Sequence, residues 1–278
     1  MTPTEFDAWL ADPDRRPQLM GVLNVTPDSF SDGGDLHDLD DVVRRAREMV
    51  ARGALVLDIG GESTRPGAVP VSAAEQIARV VPAVEALRSM GAILSVDTTD
   101  ADVARAALDA GATMLNDISA GRHDSRMFTL AAERQVPIAL MHMQGEPRTM
   151  QHEPRYDDVV TEVRDFLTGR AAAALTAGVA RHRVLVDVGI GFGKTIEHNL
   201  LLLKHHARIA ELGYATLLGT SRKGFIGKLT GVDRPADRVM GTAATIAWGA
   251  ANGANLLRVH DVEAMRQTLA VVEAIRRA

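Results

Sequence analysis

The chain has no cysteine. That excludes disulfides, thiolate metal sites and cysteine nucleophiles, and it fits a cytoplasmic location. No apolar stretch approaches the ~18 residues of a membrane span. Cations are not in excess: Lys+Arg number 31 against 36 Asp+Glu, giving a net charge of -5. That balance, with a pI near 6.0, argues against a general nucleic-acid binder. Residues 1–16 are acidic and polar and contain no signal-peptide core. No imidazole spacing suggests a metal motif, and His198, His205 and His206 fall in a helical stretch where they read as solvated. No Ser-His-Asp pattern stands out. There is no long linker, low-complexity tract or second composition, so residues 17–278 read as a single domain behind an N-terminal extension, 1–16.

What is present is one pattern, repeated eight times. A short, nearly continuous apolar run stops on a polar residue. The stops are Asn24, Asp58, Asp97, Asn116-Asp117, His142, Asp187, Thr220-Ser221 and Arg258-Val-His260. Runs that are apolar on every residue suit strands buried on both faces, the condition of a parallel sheet. Helical periodicity fills the gaps. Residues 41–52 place Val42, Val43, Ala46, Met49 and Val50 on one face, and Gly53 follows as a C-cap. Ser72-Ala-Ala-Glu75 reads as a capping box. Further helices are expected over 100–110, 156–177, 196–212, 236–252 and 261–277, most of them closed by glycine.

Eight strand–helix units in a chain of 278 residues fit a closed (β/α)8 barrel of the α/β class. An open doubly wound sheet also alternates strands and helices, but it does not need eight such regular units. In either fold, ligands sit at the carboxyl ends of the strands.

Several loops carry chemistry. Residues 20–34 run from a strand into a long polar loop. There Asn24 offers an oxygen to a divalent metal or a phosphate, and Phe30 suits a loop that lends an aromatic face to a ligand. Gly60-Gly-Glu-Ser-Thr64-Arg65 supplies backbone access, a hydroxyl and a cation suited to phosphate or carboxylate. Asp58 is expected to orient this loop rather than touch a ligand. Residues 187–195 look like two phosphate loops and satisfy neither. The first glycine of a Walker A motif would fall on Val188, and the third glycine of a dinucleotide fingerprint would fall on Lys194. The remaining readings are a flexible turn, or a turn that lets Asp187 and Phe192 face the barrel mouth. Arg258 and His260 are two apart, so on a strand they share a face.

Taken together, residues 20–34, 58–68, 95–97, 116–117, 140–145, 187–194, 221–223 and 258–261 resemble the dihydropteroate synthase family, the sulfonamide-inhibited enzymes of folate synthesis. The matches run in family order along nearly the whole chain. The resemblance implies a barrel that is usually a homodimer. It implies that dihydropterin diphosphate condenses with 4-aminobenzoate, with magnesium, releasing diphosphate. By motif position, Asn24 would ligate magnesium or face the diphosphate, whose oxygens Thr64, Arg258 and His260 would hold. Asp97, Asn116, Asp187 and Lys223 would hold the pterin, with Met141 and Phe192 lining its slot. Arg65, Ser221 and Phe30 would shape the 4-aminobenzoate side, and Asp32 would stabilise the cation. The resemblance also allows a pterin-binding methyltransferase module, or a silent paralogue that only binds pterin. The segment 221–223 and both loops count against the methyltransferase. Val188 departs from the family, which usually has proline there; valine does not fix φ as proline does, which leaves room for a looser aim of Asp187, but Gly189 is retained, so Val188 is expected to be tolerated and pterin binding to survive. Glu146 and His152 stand in a stretch that is often more basic or neutral.

Overall fold

A computed structural model describes residues 1–25, 36–63, 70–146 and 148–278. Strands β1 (Gln18–Asn24), β2 (Ala54–Gly60), β3 (Ile93–Asp97), β4 (Met114–Asp117), β5 (Ile138–Met141), β6 (Val184–Asp187), β7 (Ala215–Leu218) and β8 (Leu256–Val259) pair in parallel, each with the next, and β8 closes on β1. The helices are α1 (Pro3–Ala11), α2 (Leu36–Ala51), α3 (Ala73–Leu87), α4 (Ala101–Ala110), α5 (Arg126–Arg134), α6 (Val159–Thr176), α7 (Ile196–Lys204), α8 (His206–Ala210), α9 (Gly224–Thr230), α10 (Val239–Ala251) and α11 (Val262–Arg277). The (β/α)8 barrel expected from the repeated runs is therefore the fold.

Strand side chains alternate between two cores. One phase faces the helices and joins the outer core, as Leu57, Leu94, Leu115, Leu140, Val186 and Leu257 do. The other phase fills the barrel, with Met20, Val56, Ile93, Met114, Leu185 and Leu256 in one apolar cluster. Two residues further along each strand, the same inward phase gives Val22, Asp58, Ser95, Asn116, Asp187 and Arg258. The polar layer thus stands directly on a dry floor, which is why its members are desolvated. Register keeps the ring level: Asn24 lies opposite Gly60, Gly60 opposite Asp97, Asp97 opposite Asn116, and Met141 opposite Asp187.

Residues 1–16 close the other end. Thr2 and Glu5 make a reciprocal capping box at the start of α1. That helix turns Phe6 and Leu10 into the barrel-floor cluster. Burying each is worth roughly 1.5–3 kcal/mol. Asp7 accepts from Arg183 Nε at 2.6 Å, tying the helix to the turn before β6.

Several local expectations change. The Ser72 hydroxyl does accept from the Glu75 N–H, at 3.3 Å, but the Glu75 carboxylate pairs with Arg79, so the box is half made. The helix expected from 156 starts at Val159, with Asp158 as its N-cap. Tyr156 instead sends its hydroxyl to the Gly193 carbonyl, at 2.7 Å. The stretch 196–212 breaks at His205 into α7 and α8. His206 is fully buried rather than solvated, with Nδ1 3.2 Å from the Asn252 carbonyl oxygen. Helices α5 and α9 have no counterpart among the helices expected from the periodicity. Both are short, and α9 opens on glycine with no side-chain cap.

Candidate active site

The polar ring converges on the carboxyl ends of the strands. Asp58 sits at its centre, fully buried. Its Oδ2 accepts from Asn116 Nδ2 at 3.0 Å and from Arg258 Nε at 2.6 Å. Arg258 Nη2 reaches Asp97 Oδ2 at 2.9 Å. Among the described residues, the side-chain partners of Asp58 are the strand residues Asn116 and Arg258 and not the loop that follows it. Asp58 ties three strands together inside the barrel. The alternation offered this signal, since Asp58 shares its phase with the buried Val56 two residues earlier. Gly60 leaves room beside this web. A Cβ there would lie 3.5 Å from Asp97 Cβ and 3.8 Å from Asn24 Oδ1.

On the opposite wall, Asp187 Oδ1 accepts from the Gly189 N–H at 2.7 Å. Lys223 Nζ stands 4.2 Å from the centroid of the Phe192 ring. Phe192 packs on Met141, Ile118, Met143 and Met150, so one face of the slot is apolar. The Ser221 hydroxyl meets His260 twice, accepting from its N–H at 3.1 Å and lying 3.0 Å from Nδ1. Arg222, between Ser221 and Lys223, turns away to Asp261 at 2.9 Å. Asp97, Asn116, Met141, Asp187, Phe192, Ser221, Lys223, Arg258 and His260 thus line one mouth, with Asn24 at its edge. Phe30, Asp32, Thr64 and Arg65 lie outside the described residues. A separate cleft of about 740 Å³, lined by Arg15, Arg181 and Arg276 among others, opens beside α1 at the far end, away from this mouth.

Burial sets the protonation of the site. It pushes Asp187 up to about 6, against the Gly189 N–H and Lys223. Asp97 goes up to about 7, because burial and the neighbouring Asp58 outweigh Arg258. Lys223 comes down to about 8 through burial and then Arg258. Burial also opposes charge on Arg258, but Asp58 and Asp97 prevail and hold the guanidinium cationic. His260 falls to about 3, from burial and then from the Arg258 and Arg222 cations, and is a neutral imidazole. The Ser221 hydroxyl can donate its one proton to Nδ1, which leaves the ring proton on Nε2 as a donor into the mouth.

The segment 187–194 is a precise turn rather than a phosphate loop. Gly189, Gly191 and Gly193 all have positive φ, at 66°, 82° and 60°. A Cβ on Gly189 would stand 2.0 Å from the His142 carbonyl oxygen. The turn ends on buried Lys194, whose Nζ contacts His142 Nδ1 at 3.0 Å and donates to the Phe192 carbonyl at 2.9 Å. Nothing in the sequence marks Lys194 as buried, because its partner His142 comes from another strand's loop. Val188 is buried in the outer core, facing away from the slot. The Gly189 N–H supplies a hold on Asp187 that needs no proline. Val188→Pro should leave pterin affinity unchanged within error in a binding titration, and a gain of about tenfold would mean valine does loosen Asp187.

Residues 20–260 match the pterin-binding enzyme family. A dihydropteroate synthase of Synechocystis is 45% identical over 99% of this chain and 96% of its own length. A solved dihydropteroate synthase of Xanthomonas albilineans, with 4-aminobenzoic acid, superposes with a TM-score of 0.89 at 46% identity, covering 96% of this chain and 95% of that one. The Yersinia pestis synthase in complex with a sulfonamide drug gives 0.90 at 44% identity, with 96% of both chains covered. The chain belongs to the pterin-binding enzymes and, within them, to the dihydropteroate synthases.

Proposed function

We propose that this mouth joins the methylene carbon of a dihydropterin diphosphate to the amine of 4-aminobenzoate, releasing diphosphate. The observation that carries this reading is a slot with carboxylate and amide groups at its base, one lysine, and an apolar wall. A pterin edge presents adjacent N–H and amino donors, which Asp187 can accept as a pair, with Asn116 and Asp97 beside it. Lys223 donates to ring acceptors, and Met141 and Phe192 cover the ring face. When the C–O bond breaks, charge builds on the leaving oxygens. The Arg258 cation and the neutral His260 Nε2–H are the groups of this chain that stabilise it. The aryl amine is already neutral, so no strong base is required. In this reading Asp32 stabilises the developing cation, Thr64 joins the diphosphate, and Phe30, Arg65 and Ser221 serve the 4-aminobenzoate side.

The magnesium reading rests on Asn24. Among the described residues, no group of three or more His, Asp or Glu side chains is arranged to hold a metal. A magnesium ion here would be held by Asn24 Oδ1 on the protein side, with substrate diphosphate oxygens and water as its other ligands, as this ion commonly uses. It would supply charge neutralisation to the leaving group.

The finer assignments are a cytoplasmic location and a homodimer. Among the described residues, no helix is long and apolar enough to cross a membrane. Leu200 on α7, Leu229 on α9, and Met240 and Trp248 on α10 are exposed apolar side chains, and α10 touches both of the other helices. That surface suits a second copy of this chain, with sedimentation as its check.

Ionised Asp187 is the acceptor, so pterin affinity depends on pH. As pH falls through about 6, affinity should drop roughly tenfold per unit, read by calorimetry from pH 8 to 5. Stability of the free protein runs the other way. The native carboxyl holds its proton more tightly than the unfolded chain, whose value is near 3.8. The contribution of Asp187 is therefore largest at low pH and declines as pH rises from about 4 to about 6. A pterin affinity that does not weaken below pH 6 would contradict the assignment. The function as a whole is tested by steady-state turnover with a sulfonamide. Inhibition should be competitive with 4-aminobenzoate, whereas inhibition competitive only with pterin diphosphate would overturn the division of the site.

A further inference from the structure

The slot's least expected member is Asp58. It is fully buried, and its Oδ1 is buried without a hydrogen-bond partner among the described residues. An unpaired carboxylate oxygen in a dry interior costs stability. Folding would be served at least as well by an apolar residue packed like Val56 below it. What Asp58 does instead is orient two neighbours. A carboxylate only accepts, so the Asn116 amide must turn its NH2 to Asp58, at 3.0 Å. The Asn116 carbonyl oxygen is then left as the group offered to the slot. Arg258 is held by Nε to Asp58, at 2.6 Å, and by Nη2 to Asp97, at 2.9 Å. Asp97 is itself a proposed acceptor for the ligand. A ligand donor that draws Asp97 away leaves Asp58 as the anchor that keeps the guanidinium in place.

We infer that Asp58 is the positioning residue of the site: it fixes Asn116 as an acceptor, so that the slot selects a heterocycle edge rich in N–H donors, and it anchors Arg258 for the departing diphosphate. This rests on the reading proposed above.

The two roles separate in a pair of variants. Asn116 Nδ2 and Arg258 Nε converge on one oxygen, Asp58 Oδ2. In Asp58→Asn the amide oxygen can take that place and accept from both, so Asn116 keeps its orientation while Arg258 loses its buried carboxylate. In Asp58→Leu no acceptor remains, and Asn116 is no longer held. The probes are 6-hydroxymethyl-7,8-dihydropterin without diphosphate, for binding, and the full reaction, for kinetics. For Asp58→Leu the pterin Kd should rise at least about tenfold, the loss of one well-aligned hydrogen bond. Its kcat should fall, and the 4-aminobenzoate KM should stay constant. Asp58→Asn should hold the pterin Kd within about threefold of the parent, by keeping that bond, while kcat falls. A folded Asp58→Leu that binds pterin like the parent overturns the inference. So does a folded Asp58→Asn that loses pterin affinity about tenfold, or one that keeps kcat in full. Should Asp58→Leu not fold, Asp58→Asn against the parent decides by the same two criteria. A parent protein that neither binds pterin nor turns over sinks the proposed function itself. An active parent with an indifferent Asp58→Leu sinks only this inference.

Discussion

Asp187→Ala should abolish pterin binding and leave the barrel folded. Asp187 lies two residues beyond Leu185 of the barrel floor, so it is desolvated and its hydrogen bonds are not diluted by water. Two charge-assisted bonds to the ligand, at about 1.5–3 kcal/mol each, are removed together. The expected loss is about 3–6 kcal/mol, or roughly 150-fold to 20,000-fold in Kd. Truncation also frees the Gly189 N–H, which then faces a cavity where solvent can reach it, so the cost to folding should be small beside the cost to binding. Arg65→Ala is the counterpart. Arg65 is proposed for the 4-aminobenzoate side, so this variant should raise the 4-aminobenzoate KM with pterin binding nearly intact. Calorimetry with the pterin and initial rates with 4-aminobenzoate distinguish the two. Retained pterin affinity in Asp187→Ala, or equal loss of both substrates in Arg65→Ala, would contradict the division between strand ends and loops.

Gly189→Ala should damage folding and activity together. Its φ of 66° costs an L-residue about 1–2 kcal/mol. Its Cβ would stand 2.0 Å from the His142 backbone oxygen, an atom that cannot move without β5. Overpacking of this kind adds about 1–3 kcal/mol. The sum of roughly 2–5 kcal/mol corresponds to a fall in Tm of about 5–15 °C for a chain of this size. Activity should fall further than stability, because the same backbone N–H aims Asp187 and the Asp187 carbonyl binds the His142 N–H at 2.9 Å. Gly224→Ala is the control. Nothing lies within 4 Å of its Cβ position, so it should be neutral. Thermal melts of both variants read this directly, and a Gly189→Ala protein with parental Tm and activity would mean the turn is not the constraint it looks to be.

Much of this was legible in the sequence, for definite reasons. A strand buried on both faces writes itself as an unbroken apolar run, so β1 to β8 could be counted. A polar stop at the end of such a run must face something, so Asn24, Asp97, Asn116 and Asp187 could be placed at one rim. What could not be read was partnership between distant strands. Asp58 looked like support for its own loop because its partners, Asn116 and Arg258, are 58 and 200 residues away. Lys194 looked like part of a failed phosphate motif because His142 lies on another loop. His206 looked solvated because a short helix with charged neighbours gave no sign that β8's approach would cover it. The segment 196–212 looked continuous because the break at His205 is conformational, with φ −106° and ψ 23°, and no glycine or proline marks it.

The ring of Asp97, Asn116, Asp187 and Arg258 is proposed as the place where this chain builds dihydropteroate. The most direct measurement is product formation from dihydropterin diphosphate and 4-aminobenzoate with magnesium, by mass, run side by side with the parent and Asp187→Ala. The parent should form 7,8-dihydropteroate only when both substrates are present, and the variant should form none above background. A well-folded parent that forms no product, or a variant that matches it, would contradict the claim.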